Sequence, residues 1–225
     1  MALSTLRFVV FDCDGTLVDS QYGIFAAMAF AFEQAGLPAP ARADVTAQVG
    51  LPLEEGVANM LPGESADLHR KIGHDFHAAI YEHKLPATRQ ARLFPHCRKI
   101  LHTLNDEGYV LGIATGMGRR GLERTLGEQD LEGLFTVTKT ADDGPGKPNP
   151  AILQDAIAEV GADPKDTVMI GDTVFDIQTA VNARTLAIGV DWGYHGTDAL
   201  KRAGARMVVS DFREIPDCLE KIWVG

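Results

Sequence analysis

Basic residues are in short supply in this 225-residue chain, where 21 Lys and Arg face 31 Asp and Glu for a formal net charge of −10. That balance argues against nucleic acid and against an anionic membrane surface as partners, since both recruit a basic face. Cysteine is scarcer still. Cys13, Cys97 and Cys218 are single and far apart, so neither a disulfide framework nor a Cys-x-x-Cys metal pair is on offer, and a reducing, cytoplasmic setting is expected. No apolar run approaches the ~18 residues of a membrane span, and Met1 to Val10 is too short for a cleavable signal peptide. Repeats and low-complexity tracts are absent as well. What is present is an ordinary globular composition, 45% apolar and 23% charged. At this length it suits one generous α/β domain, or one domain with a modest insertion. Nothing in it speaks to oligomeric state.

Short apolar runs recur at Phe8–Phe11, Val110–Ala114, Val168–Ile170, Leu186–Val190 and Met207–Val209, with a weaker one at Leu134–Thr138. Helical patterns fill most of the gaps, which predicts a mostly parallel sheet covered on both faces. Gly23 to Gly36 carries Ala, Phe and Met at helical spacing, with Gly36 as its stop. From there the alternation fails until near Tyr109, although a parallel sheet normally places its next strand ~30 residues on. Roughly Gly23–Arg92 therefore reads as an inserted helical subdomain, with Pro86–Pro95 as the return linker. The division expected is 1–18 and 93–225 for the core, and 19–92 for the insertion.

Chemistry concentrates at the ends of the apolar runs. Phe11-Asp12-Cys13-Asp14-Gly15-Thr16 puts two carboxylates two residues apart, hence on one side of an extended chain. Such a pair repels unless it shares a cation, and a hard ion such as Mg²⁺ suits one or two carboxylates plus phosphate and water. Gly15 allows a sharp turn and close backbone approach. A solvated Asp-rich turn is the plainer reading. Val168-Met169-Ile170-Gly171-Asp172-Thr173-Val174-Phe175-Asp176 delivers a second acidic pair, either to the same cation or as helix caps. Thr115 and Gly116 end another apolar run, offering a hydroxyl and free amides to an anion. Lys147 is held between breakers in Gly146-Lys147-Pro148. Singly, Thr115 and Lys147 would be surface-turn residues; their order beside the aspartates is what gives them weight.

With those four motifs in order, the whole chain resembles the haloacid dehalogenase superfamily of phosphohydrolases, in its phosphoglycolate-phosphatase-like branch. The resemblance implies a doubly wound, Rossmann-like α/β core with an inserted α-helical cap. It implies Asp12 as nucleophile, Asp14 as general acid/base, and Thr115 with Gly116 and Lys147 around the phosphoryl group. Mg²⁺ would be held by Asp12, the Asp14 carbonyl and Asp172, with Asp176 supporting the metal site through water or Lys147. The reaction implied is Mg²⁺-dependent hydrolysis of a small phosphorylated metabolite through an aspartyl-phosphate, with 2-phosphoglycolate one candidate. Asp14 favours phosphate esters over carbon–halogen bonds, because the dehalogenases lack an acid/base aspartate there. A β-phosphoglucomutase-like sugar-phosphate mutase and a non-enzymatic binding protein remain alternatives. Val49-Gly50-Leu51-Pro52-Leu53 resembles the cap loop that faces the active site, which makes Gly50 and Leu51 candidates for substrate binding.

Several decoys need weighing. Gly116-Met117-Gly118-Arg119-Arg120-Gly121 spells a dinucleotide fingerprint, but no carboxylate lies in Phe135–Lys139, where that fold needs one. A Walker loop fails because Pro148 follows Lys147. Phosphonate hydrolysis would need a cap lysine, and Lys71 and Lys84 lack a fitting context. Alternation turns Cys13 into the packing. His74 and His77 sit at i, i+3 without a third ligand, which reads as helix surface. Arg119–Arg120 reads as a solvated face more readily than as an anion site.

Overall fold

Four consecutive apolar residues leave Phe8–Phe11 no polar face, and the chain buries both sides of them. All four are fully buried in β1. Phe8 and Val10 point into one apolar cluster with Ile152, Leu153 and Ile177. Val9 and Phe11 point into another with Leu101, Leu104 and Leu219. Such two-sided burial marks the centre of a parallel sheet, where helices cover both faces. Here α7 (Ala151–Val160) and α8 (Val174–Asn182) supply one layer, while α5 (Cys97–Asp106) and α10 (Ile215–Ile222) supply the other. The computed structural model describes residues 6–82 and 91–223.

The sheet contains β4 (Val110–Ala114), β5 (Val137–Lys139), β6 (Thr167–Gly171), β7 (Leu186–Val190) and β8 (Met207–Val209) besides β1. Its order is β5-β4-β1-β6-β7-β8, and every pair is parallel. The chain thus steps outward on one side of β1, then crosses back and steps outward on the other. Ligands bind outside the carboxyl ends of the strands where the order reverses. Register brings those ends level: Phe11 is opposite both Ile113 and Ile170, so Asp12, Thr115 and Asp172 leave the sheet side by side. The doubly wound, Rossmann-like expectation is borne out. Among the described residues, no helix is long and apolar enough to cross a membrane.

Between β1 and β4 run α1 (Gln21–Gln34), α2 (Arg42–Thr46), α3 (Leu53–Met60) and α4 (Ala66–Tyr81). They build an apolar cluster of their own around Met28, Phe32, Val45, Val57 and Ile72. Gly36 takes φ +74° just after the end of α1, as its place after the last apolar turn predicts. At the root of the helices, β2 (Val18–Asp19) pairs antiparallel with β3 (Arg92–Leu93). The sequence carries no sign of this ribbon, because two residues are too few to show a period. The third sheet strand also departs from expectation. Pairing starts at Val137 rather than Leu134, since Leu134 and Phe135 pack from the loop into the cluster beneath β4. The expected linker Pro86–Pro95 and the decoy Lys84 fall wholly or partly outside the described residues.

Candidate active site

Asp12 follows β1 directly, and its amide donates to the Ile170 carbonyl at 2.9 Å, which continues the ladder by one residue. Its carboxylate is almost wholly buried. Lys147 reaches it from the loop after β5. The ammonium lies 2.6 Å from Asp12 Oδ1 and 2.6 Å from Asp176 Oδ1, and the lysine is itself only 1% exposed. Asp172 follows β6. Its Oδ1 accepts from Thr16 Oγ1 at 2.8 Å, and its Oδ2 from the Tyr194 amide at 2.8 Å. Asp176 sits in the first turn of α8, where its Oδ2 accepts from the amide and hydroxyl of the N-cap Thr173. That is a capping box, so the helix-cap reading holds for Thr173 and Asp176 while Asp172 stands outside it.

The three carboxylates form one group. Asp12, Asp172 and Asp176 each offer an oxygen within 4.8 Å of the others, all buried. Among the described residues a single ammonium, Lys147, stands against them. Negative charge is left over in a site with little water, and the proton affinities register it. Burial pushes the Asp12 carboxyl up to about 7, against the pull of Lys147 and with the help of Asp176. Burial raises Asp172 well above its usual range, and the charges of Asp176 and Asp12 add to this. At Lys147, burial works to release the proton, but Asp12 and Asp176 more than reverse it and the ammonium holds its proton more tightly than usual. Such a cluster of buried carboxylates is a seat for a hard cation.

Asp14 lies one step further out, on the wall of a cavity of about 220 Å³ that also meets Asp12, Thr115 and Gly116. Burial raises its pKa, and a hydrogen bond with Ser20 and the charge of Lys147 offset part of the rise. Ser20 also pairs with the Tyr194 hydroxyl at 3.1 Å. Gly15 takes φ +83°, and a side chain there would run into Asp172 and the Tyr194 ring, so close approach as well as the turn demands glycine. Thr115 is buried, with its Oγ1 accepting from the Met117 amide at 3.1 Å. The loop between α2 and α3 closes over this edge. A Cβ on Gly116 would lie 3.1 Å from the Gly50 carbonyl and 3.3 Å from that of Leu51, while one on Gly50 would lie 2.9 Å from Thr173 Oγ1. Gly50 and Leu51 are thus brought to the same place as Asp12, Asp14, Thr115, Gly116, Lys147, Asp172 and Asp176.

Some contacts have little signal in the sequence. Thr16, Ser20 and Tyr194 all tie into the aspartates, yet only the run Trp192-Gly193-Tyr194 at the end of β7 could have drawn notice. Arg119 is partly exposed and its guanidinium is engaged within the chain: it bonds Thr138 Oγ1 at 2.7 Å and the Thr138 carbonyl at 3.1 Å, and pairs with Asp143. It clamps the start of α6 (Arg119–Glu128) to the loop after β5, and Arg120 lies over the Tyr81 ring at 5.3 Å. Cys13 is buried among Phe11 and Leu17, as alternation predicts. Lys71 is spent on Asp75 and the Gln34 carbonyl. His74 lies on the exposed side of α4, whereas His77 stacks on Tyr81 and reaches the wall of the cavity.

Residues 9–190 match the family described as haloacid dehalogenase-like hydrolase. The chain belongs to that family. Among its haloacid dehalogenase-like relatives, the "Probable phosphatase IndB" of Dickeya dadantii is 33% identical over 92% of this chain and 90% of its own length. A phosphoglycolate phosphatase of Salmonella choleraesuis is 28% identical over 95% of this chain and 92% of its own. A solved hydrolase from Pseudomonas syringae superposes with a TM-score of 0.86 at 25% identity, covering 96% of this chain and 99% of that one. The expected class, a phosphoric monoester hydrolase on a haloacid dehalogenase-like fold, agrees with these findings.

Proposed function

We propose that the chain hydrolyses a small phosphate monoester through a phosphoryl group carried on Asp12. The observation that carries this reading is the buried Lys147 bridge between Asp12 and Asp176, set beside Asp172 where the strand order reverses. Lys147 holds one Asp12 oxygen and thereby fixes the carboxylate that attacks phosphorus. As the P–O bond to Asp12 forms, the bond to the leaving oxygen breaks, and Asp14, with its raised pKa, gives that oxygen a proton. Asp14 then takes a proton from the water that attacks the phosphoryl group and frees Asp12. Thr115, the Gly116 amide and Lys147 hold the phosphoryl oxygens, since phosphoryl transfer asks a protein mainly for positioning and charge neutralisation.

Magnesium fits the donor set, because buried carboxylates outnumber the one ammonium among them and all offer hard oxygens. Asp12, Asp172 and the Asp14 carbonyl would hold it, and Asp176 would steady the group through Lys147. When bound, it neutralises charge on the transferring phosphoryl group. Residues 19–92 we assign as a cap over a core of 1–18 and 93–225, on the strength of their separate apolar cluster and the β2–β3 ribbon at their root. The buried, unpaired thiols suit a cytoplasmic setting. The relatives' names bring 2-phosphoglycolate forward as one candidate substrate.

The test is to quench the Asp14→Asn variant with acid during turnover of a phosphate ester and map the phosphoryl adduct by peptide mass. With p-nitrophenyl phosphate, whose leaving group departs without a proton from residue 14, an adduct on Asp12 is expected, because the second step lacks its base. An adduct confined to another residue would overturn the mechanism.

A further inference from the structure

Beyond Asp12 and Asp14, the cavity runs between α1, α3, α4 and α6, and its walls are mostly hydrocarbon. Ile24, Met28, Met60, Phe76, Ile80 and Tyr81 lie on those walls. Among the described lining residues, the sole Lys or Arg is Arg124. Its Nε lies 2.6 Å from Glu128 Oε1, and its Nη1 donates to the Ile80 carbonyl at 3.0 Å. The guanidinium is therefore already neutralised by a carboxylate on the same wall. Glu128, Asp12 and Asp14 are the acidic groups of the lining, and its one histidine among the described residues, His77, stacks on Tyr81 and is held towards its neutral form by burial. A leaving group with a carboxylate or a second phosphate would shed its water here without meeting an unpaired Lys or Arg among the described lining residues. An uncharged apolar group would bury hydrocarbon against hydrocarbon.

We propose that the substrate's leaving group is uncharged and predominantly apolar: a short alkyl or single-ring arylalkyl phosphate monoester, not an ester with a second anionic group. The inference rests on the phosphatase reading above and narrows it. At about 220 Å³ the cavity is smaller than the ~300 Å³ where drug-sized pockets begin, which suits a single ring or a short chain. The chemistry is consistent with this lining. The leaving oxygen takes the Asp14 proton as its bond to phosphorus breaks, so a neutral alcohol is released into the apolar chamber while phosphate stays beside Lys147.

The experiment compares kcat/KM for benzyl phosphate, 2-phosphoglycolate and pyrophosphate at saturating Mg²⁺, reading inorganic phosphate. Benzyl alcohol and glycolate are alcohols of similar acidity, so chemical reactivity does not decide between their esters. Benzyl phosphate is expected to lead by at least about tenfold, chiefly through KM, since the contact is equally present in ground and transition states. Ile24→Lys and Ile80→Lys each place a cation on the half-buried wall, and either is expected to shift the ratio about tenfold towards 2-phosphoglycolate. If 2-phosphoglycolate or pyrophosphate equals or exceeds benzyl phosphate in the wild type, the apolar assignment is overturned and the phosphatase reading stands. If none of the three releases phosphate, both fall.

Discussion

At the scale of single residues, the site is governed by a surplus of buried negative charge. Lys147 is the counterweight: its ammonium touches Asp12 and Asp176 at 2.6 Å each. Removing one partner of a buried pair costs roughly 3–5 kcal/mol, because the other is left uncompensated. Lys147→Met should lower stability by about that much in urea unfolding with EDTA present, and Mg²⁺ should restore part of it. The raised carboxyls also set a pH dependence. Asp12 has its ordinary value in the unfolded chain and about 7 in the folded, metal-free one. A raised carboxyl contributes its stability below the unfolded value and loses it as pH rises through the folded value. In EDTA, the wild type should therefore lose stability relative to Asp12→Asn between about pH 4 and about pH 7. A flat difference across that window would contradict the burial of Asp12. Cation binding must displace those protons, so calorimetry at pH 6 in buffers of different ionisation enthalpy should show proton release on Mg²⁺ binding.

At the scale of elements, the loop that follows α2 decides how the insertion meets the core. Gly50 has φ +99° and faces Thr173 Oγ1, whereas Gly63 has φ +91° with nothing near it. Alanine at either position should cost roughly 1–2 kcal/mol for the left-handed backbone. Only Gly50→Ala should also cut kcat/KM, by about tenfold or more, because the added methyl pushes the loop off Thr173 and Gly116. Equal kinetics for the two variants would remove the loop from the site. The same contrast shows what was legible in the sequence. Long apolar runs ending in Asp12, Thr115 and Asp172 gave away both the strands and the chemistry, since burial on both faces leaves a continuous signature. The helical stretch between β1 and β4 was visible as a failure of alternation. Its two-residue ribbon was not, nor was the shift of β5 to Val137, because pairing at an edge depends on where Leu134 and Phe135 pack. Thr16 and Ser20 were hard to place for a related reason, since they meet Asp172 and Tyr194 across 156 and 174 positions, and Tyr194 reaches Asp172 through its amide, which any residue type offers.

At the scale of the whole molecule, a net charge of −10 repels an anionic ester over long range. In the proposed reading attraction comes from Lys147 and a cation on the buried aspartates, both within the site. Added monovalent salt, which screens beyond a Debye length of ~10 Å at 0.1 M, should therefore raise kcat/KM or leave it unchanged. A steep fall would place a long-range attractive field somewhere on the surface. The fold serves the same end, because reversal of strand order at β1 gathers Asp12, Thr115, Lys147 and Asp172 from separate connections to one edge of the sheet. The helices between β1 and β4 line a mostly apolar cavity beside them. The most direct measurement is phosphate release from benzyl phosphate and 2-phosphoglycolate, with Mg²⁺ and with EDTA, for the wild type beside Asp12→Asn. Metal-dependent release that disappears in Asp12→Asn, with the variant folded by circular dichroism, is the expected result; release undiminished by that substitution would contradict Asp12 as the nucleophile.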